Sequence, residues 1–128
     1  MDQITLTRPD DWHIHLRDGT YLRQTVLDAS NTFGRVLAMP NLDPPIINWK
    51  LAKHYKKEIM ALARPDFQPL FALYLTENTT PEEIEGTKTN SDFIPAYKLY
   101  PAGATTNSKF GVKSIEKMYP IFESMEAN

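Results

Sequence analysis

The chain has 128 residues, enough for one ordinary domain, and its 41% hydrophobic and 23% charged residues predict a packed core rather than disorder. A net charge of −2 and the absence of any long Lys/Arg run argue against a general nucleic-acid binder, which needs a basic surface to neutralise phosphates. With no cysteine, disulfides, thiolate zinc sites and cysteine nucleophiles are excluded, so any metal must be held by His, Asp, Glu or a modified side chain.

The first residues, Met1-Asp2-Gln3-Ile4, show no basic stretch followed by an apolar block, so a signal peptide is not expected. Trp12 to Leu16 reads as a strand. Thr20 to Phe33 carries Leu22, Val26, Ala29 and Phe33 at helical spacing, with Thr20 as N-cap and Gly34 as the stop. Arg35 to Met39 is a second strand, ended by Pro40. Asn41 to Pro45 is a loop, because paired prolines continue neither element. Asn48 caps a helix running to about Arg64, with Leu51, Tyr55, Ile59 and Leu62 on its buried face. Gln68 to Leu75 is a third strand, apolar nearly throughout, as expected when both faces are covered. Its apolar core, Leu70 to Leu75, is too short to cross a bilayer, so a cytoplasmic protein without membrane partners is expected.

Thr80-Pro81-Glu82-Glu83 forms a capping box that opens a short helix. Phe93 to Leu99 is a fourth strand, Pro101 to Gly111 a polar loop of small residues, and Ser114 to Met125 a last helix bent by Pro120. The order β-α-β-α-β-α-β-α predicts a single α/β domain over residues 1–128, with right-handed crossovers and a parallel sheet. Four such units make either a small open sheet or half the strands of a (β/α)8 barrel, which takes about 250 residues.

The residues that could carry chemistry gather at predicted carboxyl ends of strands, where α/β folds place their sites. His13 and His15 alternate onto one face of the first strand and could share a metal ion. Taken alone, the pair reads more simply as pocket histidines bonded to backbone groups. Arg17 could grip a carboxylate in a bidentate fork, or pair with Asp18 or Asp11 at the surface. Asn41 could bond a ligand, or merely shape its turn. Lys98 lies in a predicted buried strand, where an ammonium is costly. A neutral amine there could combine with carbon dioxide to give a carbamate able to bridge two metals. A lysine snorkelling to the rim is the plainer reading of Lys98 by itself. Thr105 and Thr106, in a loop rich in hydroxyls, could donate to a substrate or simply be solvated. His54 reads as a surface helix residue.

Together, "RPDDWHIHLRDG", "AMPNLDPP", "AYKLYPAGATTNSKFGV" and "YPIFESME" resemble the shorter, bacterial type of dihydroorotase, in the amidohydrolase superfamily, from about Ile4 to Met125. The resemblance implies the first four β-α units of a (β/α)8 TIM barrel of the metallo-dependent hydrolase type, truncated here to its amino-terminal portion. It implies two zinc ions and the reversible cyclisation of N-carbamoyl-aspartate to dihydroorotate in pyrimidine synthesis. His13 and His15 match ligands of the more buried metal, and Lys98 matches the carboxylated lysine that bridges both. Arg17 and Asn41 match residues that hold the substrate carboxylate, and Thr105 and Thr106 the loop that closes over it. A homodimer is implied for the full-length protein.

Two departures qualify this resemblance. Gly103 stands where related chains often carry asparagine. No histidine follows His54, and the acids after Lys98 are Glu116, Glu123 and Glu126, all on the last predicted helix. The second metal's histidines and the catalytic aspartate are therefore expected outside this chain, which alone is expected to be inactive. The alternative is a non-catalytic half-barrel that pairs with another chain.

Overall fold

Strands and helices alternate along the chain in a computed structural model that describes residues 2–128. The order is β1 (Asp11–Ile14), α1 (Gly19–Thr32), β2 (Arg35–Ala38), α2 (Trp49–Met60), β3 (Gln68–Leu75), α3 (Pro81–Asn90), β4 (Ala96–Leu99), a 3-10 turn (Glu116–Met118) and α4 (Tyr119–Ala127). All three strand pairings are parallel, and the strands lie side by side in sequence order. Each crossover therefore steps in the same direction. With right-handed crossovers, that places every helix on one face of the sheet. Successive helices accordingly touch one another, α1 on α2, α2 on α3 and α3 on α4. A doubly wound sheet would reverse direction and cover both faces. The architecture is thus a curled half-barrel of the (β/α)8 kind, not the open sheet that the element order alone allowed.

The core lies between sheet and helices. Phe71 and Leu73 of β3 and Val36 and Ala38 of β2 meet Val26, Tyr55 and Ile59 from α1 and α2. Phe71 is the centre of this packing, edge-on to both Tyr55 and Phe93, with ring centroids 5.7 and 5.9 Å away. A second cluster, around Leu75, Ile84, Met118 and Ile121, seats α3 and α4 at the far end of the sheet. Among the described residues, no helix is long and apolar enough to cross a membrane.

Several predicted boundaries shift for identifiable reasons. β1 ends at Ile14 rather than Leu16 because the chain turns sharply through Arg17 and Gly19, both left-handed at φ 61° and 54°. α1 starts at Gly19, so Thr20 is inside it and Asp18 occupies the cap position, without a side-chain bond. At its other end Phe33 is the cap, its N–H donating to the Ala29 carbonyl, and Gly34 is not left-handed. Asn48 does cap α2, accepting from the Leu51 N–H, but the helix stops at Met60 and buries Ala52, Tyr55 and Ile59. Leu51 is 44% exposed, since the Ala52–Tyr55–Ile59 stripe sets the rotation of the helix about its axis.

β4 begins at Ala96, not Phe93, because Pro95 cannot donate to the ladder; the Phe93 carbonyl still accepts from the Phe71 N–H at 2.9 Å. Pro120 does not bend a long helix. It sits in the first turn of α4, after the 3-10 turn, where a missing N–H has no partner to lose. β3 and the Thr80–Glu83 capping box are as predicted, both reciprocal bonds of the box being present.

Thr80→Ala removes one half of that box and should cost about 1 kcal/mol. Leu73→Ala, at a fully buried position, should cost roughly 2–5 kcal/mol through the cavity it leaves. Urea unfolding of both variants measures the difference. Equal midpoints would contradict the assignment of Leu73 to the core.

Candidate functional site

The helix-free face of the sheet is where the candidate residues meet. On β1, Ile14 and Leu16 pack into the helix-side core. The register of β1 shifts between Asp11 and Ile14, but His13 and His15 flank Ile14, and alternation about that residue turns both to the opposite face, His15 lying one residue past the strand end. Their rings stand 5.4 Å apart between centroids, inclined by 57°. His13 is exposed and its backbone N–H donates to Asp11 Oδ1 at 2.9 Å. His15 is half-buried.

On β4 the same parity applies. Tyr97 reaches the helices, with its hydroxyl 2.7 Å from Thr87 Oγ1, and Leu99 packs on the second cluster. Lys98 thus shares the histidines' face, opposite Tyr74 in register. It is half-buried rather than deeply buried, because β4 borders the sheet and all its residues keep some exposure. Its Nζ lies 5.9 Å from the Tyr100 ring centroid.

The two strands feel each other electrostatically. The pKa of His15 is lowered first by burial, then by the positive charges of Arg17 and His13 and, more weakly, by Lys98, against the raising effect of a hydrogen bond to Asn41. A neutral imidazole, with a ring nitrogen free to ligate, is the form this environment favours at neutral pH.

Arg17 is fixed through its backbone. Its carbonyl accepts a hydrogen bond from the Tyr55 hydroxyl of α2, and burial keeps that phenol protonated far above its ordinary range. Asn41 is 3% exposed and bonded at three points. Its amide donates to the Thr106 carbonyl at 3.1 Å, its Oδ1 accepts from the Tyr100 hydroxyl at 3.2 Å, and its backbone carbonyl accepts from Asn107 Nδ2 at 3.0 Å.

The loop carrying Thr105 and Thr106 is therefore tethered. Beyond Asn41, Tyr74 donates to the Asn107 carbonyl at 3.2 Å, and Ser108 closes a tight turn with Thr105 through bonds of 2.6 and 2.9 Å. Both threonine side chains stay exposed. Tyr55, Tyr74, Tyr100, Asn107 and Ser108 all position the site, yet none stands out in the sequence. The available signal was the pair of tyrosines Tyr74 on β3 and Tyr100 just past β4, whose rings stack 4.8 Å apart. His54 is a surface residue of α2, 3.9 Å from Glu58. Among the described residues, no group of three or more His, Cys, Asp or Glu side chains gathers in a metal-ligating cluster.

No family model matches the chain. Curated relatives do. The dihydroorotases of Ectopseudomonas mendocina and Pseudomonas savastanoi pv. phaseolicola are each 57% identical over 127 residues, which is 97% of this chain and 36% of those proteins. The Vibrio atlanticus dihydroorotase is 54% identical over 98% of this chain and 37% of its own length. Among solved structures, the dihydroorotase of Saccharomyces cerevisiae in complex with 5-fluoroorotic acid superposes with a TM-score of 0.85 at 34% identity, over 93% of this chain and 33% of that one. The Campylobacter jejuni dihydroorotase gives 0.82 at 36% identity, over 94% and 35%. The chain spans about a third of the length of the dihydroorotases it resembles.

Asn41→Ala deletes the side-chain bond to the Thr106 carbonyl in the loop and the one from the Tyr100 hydroxyl at its base, each contributing about 1 kcal/mol. Amide hydrogen exchange at Thr105 to Ser108 should quicken about tenfold or more, with exchange in β3 unchanged. Unchanged exchange in the loop would show that Asn41 is not its tether.

Proposed function

We propose that this chain is the amino-terminal portion of a dihydroorotase, interconverting N-carbamoyl-aspartate and dihydroorotate. One observation carries the reading. His13, His15 and Lys98 share the helix-free face at the carboxyl ends of β1 and β4, with the Arg17 charge acting on His15, in a chain 57% identical to dihydroorotases.

The donor set fits zinc. Two imidazoles on one face, one of them held neutral, are nitrogen ligands of the kind zinc takes. Lys98 completes that side if its amine adds to carbon dioxide and loses a proton, giving an anionic carbamate in place of a cation. Zinc, when bound, supplies Lewis-acid polarisation of the cyclic amide carbonyl and acidifies water. The remaining ligands and the proton-transferring base fall, in this reading, to the two thirds of the relatives' length that lie outside the match.

The chain's own residues bind and orient the substrate. Arg17 presents its guanidinium fork to a substrate carboxylate, in a geometry its anchored backbone holds still. The acid bound by the yeast relative is chemically compatible with such a fork. Asn41 sits between substrate and loop. Its amide would pass from the Thr106 carbonyl to the ligand as the loop rearranges, freeing the exposed Thr105 and Thr106 to close over the ring and exclude water.

A chimera tests this: residues 1–128 replace the matching segment of the E. mendocina enzyme, and dihydroorotate hydrolysis and zinc content are measured. Activity is expected. His13→Ala and Lys98→Ala should each lower kcat roughly a hundredfold or more, with loss of zinc. Arg17→Ala should raise KM roughly tenfold or more. A folded, zinc-loaded chimera whose activity is indifferent to His13→Ala would refute the assignment.

A further inference from the structure

One cavity of the molecule lies apart from this site. It measures about 480 Å³ and opens where the loop before α2, the start of α2 and the segment after Thr105–Ser108 come together. None of its lining residues is His13, His15, Arg17, Asn41, Lys98, Thr105 or Thr106. Its volume falls in the range of small-molecule sites. Pro45, Ile47, Leu51 and Phe110 supply an apolar wall, and Lys109 and Lys113 bring charge.

Ile47, Leu51 and Phe110 are 36%, 44% and 50% exposed. They are brought together in one hollow rather than scattered singly over the surface. The charge around the hollow is unbalanced. Glu77 is committed elsewhere, accepting from the backbone N–H groups of Lys113 and Ser114 at 2.9 and 3.0 Å and facing Lys117 Nζ at 3.3 Å. Lys109 makes a long contact of 3.4 Å to Asp43, both side chains being well exposed, and its Nζ stands 5.0 Å from the Phe110 ring centroid. The Lys113 ammonium pairs with no carboxylate among the described residues.

We propose that this cavity binds a small anion carrying a flat apolar ring, with the ring against Leu51 and Phe110 and the anionic group toward Lys113. The cavity is joined to the candidate site through the loop's backbone. A Cβ on Gly111 would lie 2.3 Å from the Tyr100 carbonyl oxygen, so the cavity wall presses directly on the residue whose hydroxyl bonds Asn41. The Gly111 N–H also donates to the Ser108 carbonyl at 3.0 Å. A ligand resting on Phe110 therefore steadies the Thr105–Ser108 turn in its tethered position.

The test is titration of the 128-residue chain with 1-naphthoate and with its uncharged counterpart, naphthalene-1-carboxamide, followed by amide NMR and calorimetry. One-to-one saturable binding of naphthoate is expected, with shifts centred on Leu51, Phe110 and Gly111 and slower hydrogen exchange at Thr105 to Ser108. Phe110→Ala and Leu51→Ser should each weaken it at least fivefold, and Lys113→Gln should remove most of its advantage over the carboxamide. If Phe110→Ala fails to fold, Leu51→Ser, at a half-exposed helix position, carries the same test. Absence of saturable binding, shifts centred elsewhere, or indifference to Lys113→Gln would each overturn the proposal. So would self-association of the chain that Leu51→Ser abolishes, because the hollow would then be a contact between copies.

Discussion

Parity along the strands is the constraint on which the rest of this structure depends. Because the strands run in sequence order and every crossover steps the same way, the helices cover one face of the sheet and leave the other open. Each strand must then send alternate residues to the apolar layer and the intervening ones to the open face. Ile14 and Leu16 take the first role, and His13 and His15, flanking Ile14, take the second, despite the register shift earlier in β1. Tyr97 and Leu99 do the same for Lys98. A one-residue slip of β1 against the helix layer would bury two imidazoles and expose Ile14 and Leu16. The burial energy of the core thus fixes the chemistry of the face that takes no part in it.

Asn41 supplies the second level of order. It stands just beyond β2, where a polar side chain could have been solvated, yet it is buried and uses its amide oxygen, its amide nitrogen and its own carbonyl. Its partners come from β4's end and from the loop after it, so one side chain joins two carboxyl-end loops. Tyr74 and Tyr100, stacked on each other, provide the apolar floor under these bonds and the hydroxyls that complete them. Removing water from around such bonds strengthens them and raises the cost of leaving any one unmade. Among the described residues, no buried side-chain polar atom lacks a partner.

The elements that could be read from sequence were those whose signal is local. β3 is a continuous apolar run, and the Thr80–Glu83 box is four residues of side-chain chemistry, and both appear as expected. Boundaries failed where a non-local constraint decided them. The rotation of α2 depends on what Tyr55 and Ile59 touch across the interface, which leaves Leu51 outward despite its place in the apolar periodicity. The start of β4 depends on a ladder partner that Pro95 cannot bond. At the candidate site, the histidine pair was legible because the chain has only three histidines and two of them stand one residue apart. The residues that position the site were not. Tyr55, Tyr100 and Asn107 act across intervals of 38, 59 and 66 residues, over which sequence periodicity carries no information.

Arg17 shows how the two levels combine. The chain must leave β1 and enter α1 within a few residues, and it does so with left-handed backbone at Arg17 and at Gly19. Glycine adopts that conformation freely, whereas an arginine there costs roughly 1–2 kcal/mol. A glycine at position 17 would relieve the cost and still make the turn. What arginine adds is a positive charge that acts on the His15 imidazole. The Tyr55 hydroxyl offsets part of the strain by bonding the Arg17 carbonyl, and Tyr55 is itself locked by Phe71 in the centre of the core. The positive charge at the site is therefore held by the same packing that determines which way the histidines point.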